Sequence, residues 1–403
     1  MTLATDLINL ETRAARLAAV LDARADLGAL WRRMVALTEA AASLSLEHIM
    51  VAEPDILRPR LGLGTIRGEP QSARTAQAIY RVMLRPGAIL REPGAIFDHC
   101  IKAARMADLV DLEEGGRVEY PDDFAPEDWT IARESFAAAV RRIRQEPMPV
   151  LLRALAIARA AALVMPERQP IAERLIFMAA ESDLRRDLAF SDPIVARNLD
   201  GLDARVDAGW TAPPSIALAR GGFRAWSPAT RTGWDALIER LSATLAQEVG
   251  RMVQLHAWSE KLDADFRGQT GKSRRADFGQ LLRETPILNA RVCAKALDVT
   301  ERTARNLLDD AEAMGIVSQL TSRRSYRIWG VPALAQMIRD RGRIRAPDIA
   351  ARAQRGDEEE APRLRAADPD FDRRIDALMG DVDSALKGID EVIERYRTLP
   401  NTR

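Results

Sequence analysis

The stretch NARVCAKALDVTERTARNLLDDAEAMG, residues 289–315, decides how its part of the chain folds. Asn289 is a favourable helix N-cap and predicts a short helix over 290–297. After a short turn, Thr300 can cap a longer helix, because a threonine oxygen accepts hydrogen bonds from the free N–H groups of the first turn. Gly315 then ends that helix in the C′ position, which glycine favours. The stretch therefore predicts two helices joined by a tight turn.

Further elements are predicted on both sides of this helix pair. A helix over 276–284 precedes it and is stopped by Pro286. The β-prone runs 316–320 and 325–329 follow it and predict a hairpin across 321–324. The resulting order of helices followed by a hairpin is the layout of a winged helix-turn-helix.

The side chains of the helix pair fit that layout. Ala294 is small enough for the point where the two helices cross, and Val299 supplies an apolar residue in the turn. The second helix is apolar on one side, at Ala304, Leu307, Leu308, Ala311 and Met314. Its opposite side begins with polar residues, as in a recognition helix that enters the major groove of DNA.

Two groups of residues are predicted to bind DNA. Contacts with base edges and phosphates from the start of the recognition helix are expected from Thr300, Arg302, Thr303, Arg305 and Asn306. Neutralisation of backbone phosphates is expected from Lys272, Arg274, Arg275, Arg323 and Arg324. Three acids of the same helix argue against DNA binding unless they point away from phosphates, and they are Asp309, Asp310 and Glu312.

Two phrases of the sequence, VTERTAR at 299–305 and MGIV at 314–317, resemble the winged helix-turn-helix modules of bacterial regulators. The chain is also similar to a family of bacterial proteins, often plasmid-borne, that join such a C-terminal domain to a helical domain of unknown function. This resemblance implies double-stranded DNA as the partner. The alternative for the same residues is a three-helix packing unit or a winged helix that docks a protein.

The whole chain predicts an all-α fold with a small β-hairpin. Its 403 residues suffice for roughly two or three domains, and Ala and Leu dominate the 47% of apolar residues, while aromatic residues make up only 5%. The predicted units are a multi-helix N-terminal domain over 1–226, a long connecting helix and linker over 227–271, the winged helix-turn-helix over 272–345, a flexible linker over 346–370 and a heptad-patterned C-terminal helix over 371–397.

Helical spacing of apolar residues predicts most of the N-terminal domain in detail. A first amphipathic helix starts at Leu3, and a second runs from about 29 to 51. Further helices are expected near 70–84, 93–111, 126–145, 148–165 and 169–189, with a long helix from 227–228 to about 266. The stretch 190–226 is expected to be irregular.

The charges are balanced in total but unevenly distributed. The chain has 59 basic and 59 acidic residues, which excludes a polybasic protein that coats nucleic acid indiscriminately. Segment 272–345 has fifteen basic and eight acidic residues, whereas 346–403 has ten and fourteen. The residues before 272 have 34 basic and 37 acidic side chains. Selective contact through the basic segment is therefore expected.

The C-terminal helix over 371–397 has an apolar stripe with alternating steps of four and three. Its members are Phe371, Ile375, Leu378, Val382, Ala385, Ile389, Val392 and Tyr396. An isolated helix of this length is marginal in water, so the stripe either pairs with a second copy or packs on the N-terminal domain. Self-association is slightly favoured, which predicts a homodimer able to contact two half-sites.

No catalytic, cofactor-binding or metal-binding residue is predicted, and the chain is not expected to be an enzyme. The histidines and cysteines lack metal, triad or disulfide spacing, and they are His48, His99, His256, Cys100 and Cys293. Residues 268–273 match the end of a phosphate-binding loop, but Phe266 occupies the position of its first glycine, which favours a linker.

A second resemblance concerns Ser43 and Glu47. Their spacing is similar to the S-x-x-x-E of the inhibitory helix of Fic adenylyl-transferases, some of which also end in a winged helix-turn-helix. His48 stands where that family has Gly or Asn, and the motif H-P-F-x-[DE]-G-N-x-R is absent. No transferase chemistry is therefore implied.

The sequence favours a sequence-specific DNA-binding protein of the cytoplasm, associated with the nucleoid when bound, that regulates transcription as a dimer. No signal peptide or membrane span is expected. A small-molecule effector is left open. The alternatives are a plasmid or replicon maintenance protein, and an enzymatic or protein-interaction role in the helical N-terminal domain.

Overall fold

The computed structural model describes residues 3–58, 60–61, 71–108, 127–190, 208–220, 228, 231–266, 274–321 and 327–343. These residues are mostly helical, with fourteen helices and one small antiparallel sheet among them, which confirms the all-α class. Within these ranges, no helix has both the length and the apolar character needed to cross a membrane.

The first nine described helices precede residue 221. They are α1 (Leu3–Ala23), α2 (Ala25–Leu46), α3 (Glu53–Ile56), α4 (Gln71–Leu84), α5 (Pro93–Asp108), α6 (Glu127–Arg144), α7 (Val150–Val164), α8 (Pro170–Phe190) and α9 (Pro214–Arg220). The helices predicted near 70–84, 93–111, 126–145, 148–165 and 169–189 are thus confirmed as α4 to α8, with small differences at their ends.

A long helix, α10 (Arg231–Phe266), forms the spine of the fold. It packs along α1, whose apolar stripe from Leu7 to Leu21 is at most 2% exposed. Across this seam the Arg13 guanidinium donates to the carbonyl oxygen of Ser242 over 2.7 Å. The amphipathic spacing that predicted both helices therefore corresponds to their contact with each other.

Helix α2 lies four residues earlier at its start, and five earlier at its end, than the predicted 29–51. It ends because His48 adopts a left-handed conformation with φ of 64°. The N–H groups of His48 and Ile49 then bond to the carbonyl oxygens of Ser45 and Leu44 over 3.2 and 3.0 Å. This helix end was missed because the left-handed position holds a histidine in place of the glycine that usually marks it.

Of the stretch 190–226, predicted to be irregular, the structure describes residues 208–220 beyond the end of α8, and these contain one short helix, α9. Its first turn is held by Glu39 of α2, whose carboxylate accepts from the N–H groups of Ser215 over 2.6 Å and Ile216 over 2.8 Å. Both the carboxylate and the receiving turn are fully buried. A distant acid thus caps this helix, which no local pattern could predict.

The remaining described residues, 274–343, form what we call the C-terminal module. Its elements are α11 (Arg275–Glu284), β1 (Ile287–Leu288), α12 (Ala290–Leu297), α13 (Glu301–Ala313), β2 (Ser318–Gln319), β3 (Trp329–Gly330) and α14 (Pro332–Arg343). The strands form an antiparallel sheet in the order β1-β3-β2, in which Trp329 pairs with both Leu288 and Gln319. Strands β2 and β3 pair antiparallel, as the two β-prone runs predicted, but each is two residues long, and residues 322–326 of the predicted hairpin lie outside the described residues. Strand β1 was not predicted.

The C-terminal module packs directly on the described residues before 274, which contain α1 to α10 and which we call the helical body. The indole N–H of Trp258 donates to the carbonyl oxygen of Ile316 over 2.9 Å. Arg341 of α14 donates to both carboxylate oxygens of Glu53, over 2.7 and 2.9 Å, and the Glu53 side chain is 1% exposed. The buried apolar residues form one continuous cluster across this seam. The described parts of the chain therefore share a core.

Several predicted features lie outside the described residues. They include the domain boundaries after 226 and 271, the linker over 346–370, the heptad-patterned helix over 371–397 and the phosphate-loop-like residues 268–273. The residues immediately before that last segment end α10, so a helix rather than a strand precedes it.

Candidate nucleic-acid interface

Helix α12 and the turn after it are fixed by backbone and side-chain hydrogen bonds. The Asn289 side chain accepts from the Val292 N–H over 2.8 Å, as predicted for an N-cap. Its amide also donates to the carbonyl oxygen of Leu61 over 2.7 Å, which ties the start of α12 to the helical body. Asp298 turns the chain in the left-handed region, with φ of 52°. The Val299 N–H then reaches back to the Ala294 carbonyl oxygen over 3.0 Å.

Helix α13 begins at the predicted cap. The Thr300 hydroxyl accepts from the Thr303 N–H over 3.2 Å, and the two threonine hydroxyl oxygens are 2.9 Å apart. Both side chains are exposed. The first turn of α13 therefore presents hydroxyl groups and free N–H groups at the positive end of the helix dipole, where phosphate oxygens bind well.

The end of α13 also follows the prediction. Gly315 has φ of 69°, and its N–H bonds to the Glu312 carbonyl oxygen over 2.9 Å. The Ile316 N–H bonds to the Ala311 carbonyl oxygen over 2.8 Å. These two bonds form a Schellman motif, which directs the chain into β2 and sets where the hairpin leaves the helix.

The two sides of α13 differ as the apolar spacing predicted. Ala304, Leu308 and Ala311 are fully buried against α12 and the sheet. The outward side chains Arg302, Arg305 and Asn306 are exposed. Neither arginine forms an ion pair or hydrogen bond with the part of the chain that the structure describes. Two unpaired guanidinium groups and one carboxamide thus face solvent on one side of a capped helix.

Arg327 binds the opposite end of α13, a role that no sequence pattern predicted. Its guanidinium donates to Asp309 over 2.6 Å and to Glu312 over 2.7 Å. Its Nε donates to the Gln319 side chain over 3.1 Å, and the group lies 4.5 Å from the centre of the Trp329 ring. Arg327 therefore joins α13 to the hairpin while compensating two of the four acids of the helix.

Arg275 compensates a third acid, whereas Glu301 in the first turn of α13 has no ion pair within the described residues. The Arg275 guanidinium lies 3.5 Å from the carboxylate of Asp310, an ion pair between α11 and α13. Arg274, just before α11, is exposed, and its guanidinium lies 3.2 Å from the carboxylate of Asp277 in the first turn of α11. Both arginines were predicted to contact phosphates, and both lie at the start of α11 with one carboxylate nearby. The other predicted phosphate contacts, Lys272, Arg323 and Arg324, lie outside the described residues.

Burial disfavours the charged forms of both cysteine thiols and of the His99 imidazole. Burial raises the pKa of Cys293, inside the C-terminal module, to about 12, and it raises the pKa of Cys100 as well. Burial and the nearby Lys102 lower the pKa of His99. Among the described residues, no group of three or more histidine, cysteine or acidic side chains is arranged to hold a metal ion.

Ser43 and Glu47 both bind one buried guanidinium. Arg174 of α8 is fully buried and donates to the Ser43 carbonyl oxygen over 3.1 Å and to the Glu47 carboxylate over 2.7 Å. The spacing of Ser43 and Glu47 thus places both on the side of α2 that faces α8. In this fold the pair joins two helices of the body.

Comparison with protein-family models finds no match for this sequence, and no curated protein matches it.

Proposed function

We propose that the chain is a sequence-specific DNA-binding protein whose C-terminal module is a winged helix-turn-helix. The observation that carries this proposal is the outward side of α13, where Arg302, Arg305 and Asn306 are exposed on a helix capped at both ends. Exposed arginine and asparagine side chains suit guanine and adenine edges in the major groove. Helix α13 is the recognition helix of this proposal.

The electrostatics of the helix support this assignment. Acids on a recognition helix would repel phosphates, but Asp309 and Glu312 are paired with Arg327, and Asp310 lies beside Arg275. Among the described residues, the charges on α13 without an ion pair are then those of Arg302, Arg305 and Glu301, which sum to one positive charge. DNA thus meets a surface of net positive charge, although α13 contains four acids and only two arginines.

In this proposal each part of the module has a distinct task. The first turn of α13 binds phosphate through backbone N–H groups and the Thr300 and Thr303 hydroxyls. Arg302, Arg305 and Asn306 contact base edges, while Lys272, Arg274, Arg323 and Arg324 bind the sugar-phosphate backbone. Arg275 serves chiefly to hold Asp310.

The contact between the C-terminal module and the helical body determines how α13 is oriented toward DNA in this proposal. Trp258, Asn289 and Arg341 each connect the module to the body by hydrogen bonds. A module held in this way presents α13 in a fixed orientation, so two copies related by a two-fold axis would contact half-sites at a fixed spacing. We therefore propose a transcriptional regulator that acts as a dimer in the cytoplasm.

Selection of bound duplexes from a random pool by the full-length protein tests this function. A regulator enriches one motif, with half-sites about 10 base pairs apart or a multiple of that spacing if it binds as a dimer. Arg305→Ala is expected to relax the preference at one position, whereas Arg324→Ala should weaken binding to all sequences alike. Failure to enrich any motif would contradict sequence-specific binding.

A plasmid or replicon maintenance role is the alternative within DNA binding. Genome-wide footprinting separates the two, because maintenance proteins occupy clustered sites near one locus whereas a regulator occupies promoters. If the protein binds no duplex at all, a role of the helical body in catalysis or protein interaction replaces both.

A further inference from the structure

A cleft of about 790 Å³ lies between the long helix α10 and the last described helix, α14. On α10 its wall includes Gly250, Arg251, Gln254 and Trp258, which lie on one side of the helix. The cleft falls within the size range of small-molecule sites, roughly 300–1,000 Å³. It lies at the seam between the body and the C-terminal module, where ligand sites are common.

The charged groups of the α14 wall are arranged around one carboxamide. Gln336 accepts from the Arg339 guanidinium over 3.0 Å and donates to the Asp340 carboxylate over 2.7 Å. Its acceptor oxygen thus faces a cation and its donor nitrogen faces an anion. Within the described ranges, neither Arg339 nor Asp340 has an ion-pair partner of its own.

The same pair of groups fits a zwitterion. A free α-amino acid carries an acceptor, its carboxylate, and a donor, its ammonium group, both attached to the same carbon atom. This is the order of acceptor and donor that Gln336 now presents to Arg339 and Asp340. Charge-assisted hydrogen bonds to both ionic groups would be stronger than those to a neutral carboxamide.

The α10 wall of the cleft leaves room for the side chain of a bound ligand. A Cβ atom added at Gly250 would meet no atom within 4 Å outside its own neighbourhood, so the space above this glycine is open. Arg251 is 7% exposed and neutralised by Glu248 over 2.8 Å, which leaves the α10 wall without net charge. We propose that the cleft binds a free α-amino acid, with its carboxylate on Arg339 and its ammonium group on Asp340.

The α10 wall of this cleft contacts the segment that follows the proposed recognition helix, and one hydrogen bond joins the two walls. Trp258 donates to the carbonyl oxygen of Ile316, directly after the α13 end, and Arg251 reaches the carbonyl oxygen of Ala333 in α14 over 3.4 Å. An amino acid that bridges the walls would therefore change the affinity for DNA, and DNA would change the affinity for the amino acid by the same factor. This coupling rests on the proposed function, whereas the binding of the amino acid does not.

Isothermal titration of the full-length protein, without DNA, with each proteinogenic L-amino acid in turn tests the site. We expect saturable binding of at least one, and no binding of its decarboxylated amine or its deaminated acid. Arg339→Gln and Asp340→Asn should each weaken binding roughly tenfold or more, since each removes a charge-assisted hydrogen bond. Arg240→Gln, which removes a charge from α10 outside the cleft, is the matched control and should leave binding unchanged.

Gly250→Leu tests occupancy without loss of folding. Leucine favours helix over glycine, so the variant should be at least as stable as the wild type while its side chain fills the cleft. Loss of binding in Gly250→Leu, with binding retained in Ala243→Leu on the same helix, supports the site. The site is overturned if no amino acid binds saturably, or if Gly250→Leu binds as well as the wild type. Binding without any change in DNA affinity overturns the coupling alone.

Discussion

Arg327 and Asp309 form an ion pair with 2.6 Å between Nη1 and Oδ1, and this pair joins the hairpin to α13. The same guanidinium holds Glu312, so one side chain compensates two acids that would otherwise face DNA phosphates. A basic recognition surface and an acidic helix sequence are compatible because three of the four acids of α13 are paired within the module. The pair also fixes the angle at which the hairpin leaves the helix.

Arg327→Met should destabilise the protein. The change removes two partly exposed ion pairs and a cation–π contact, and we expect the free energy of unfolding to fall by about 1–2 kcal/mol. Urea denaturation of the full-length chain measures this. Arg302→Met, which removes an exposed arginine with no described partner, should change stability by less than about 0.5 kcal/mol. Equal effects of the two changes would contradict the role assigned to Arg327.

Asp298→Gly should stabilise the C-terminal module. Asp298 has φ of 52°, a left-handed conformation that glycine adopts without the strain imposed by a Cβ atom. We expect a gain of about 0.5–1 kcal/mol in the free energy of unfolding. The mirror experiment is Gly315→Ala, at φ of 69°, which should cost about 1 kcal/mol. Denaturation of both variants measures the two changes. If the free energy of unfolding changes with the same sign in both, the backbone argument is contradicted.

Glu39→Ala should be strongly destabilising. It leaves the N–H groups of Ser215 and Ile216 buried without an acceptor, at a cost of about 2–4 kcal/mol. Glu39→Gln keeps one acceptor oxygen and should cost about half as much. Calorimetric melting of the two variants measures the series, with Glu239→Ala, at an exposed position of α10, as the control. A melting temperature of Glu39→Ala equal to that of the control would show that the carboxylate does not hold α9.

Stability should fall between pH 10 and 12 because of Tyr80. Burial raises the pKa of this phenol from 10.0 to about 12. Above pH 10 the unfolded chain loses the phenol proton while the folded chain keeps it, so the unfolded state gains stability as the pH rises. The fall in the free energy of unfolding over this range should be roughly 2–3 kcal/mol. Denaturation midpoints across this range should show a smaller decline in Tyr80→Phe, and an equal decline would exclude Tyr80 as the cause.

Local sequence rules predicted the elements whose signals are local. Asn289, Thr300 and Gly315 were assigned as caps from residue type and spacing, and each makes the expected hydrogen bonds. The buried side of α13 followed from helical spacing in the same way. These features depend on neighbours within a few residues, so one sequence suffices to find them.

The features that were missed depend on distant residues or rare conformations. Strand β1 is only two residues long and is defined by its pairing with β3, which lies far along the chain. Asp298 and His48 adopt left-handed backbone conformations, which are more often occupied by glycine and are therefore hard to predict at these two residues. Arg327 acquires its role only when α13, β2 and β3 meet, because its partners come from three elements. The sequence predicted which side chains form the outward side of α13. It did not predict the ion pairs that compensate three acids of that helix.

The salt dependence of binding to a selected duplex tests the central claim most directly. Fluorescence anisotropy of the wild-type protein should give a linear fall of log K with log salt, with a slope of about −0.9 for each phosphate contact. The double variant Arg302→Ala, Arg305→Ala should lose roughly 2–6 kcal/mol of preference for the selected duplex over a scrambled one. Arg133→Ala, an arginine of α6 paired with Asp98, is the matched control and should bind as the wild type does. Binding without a salt slope, or a double variant that keeps the full preference, would contradict the assignment of α13 as the recognition helix.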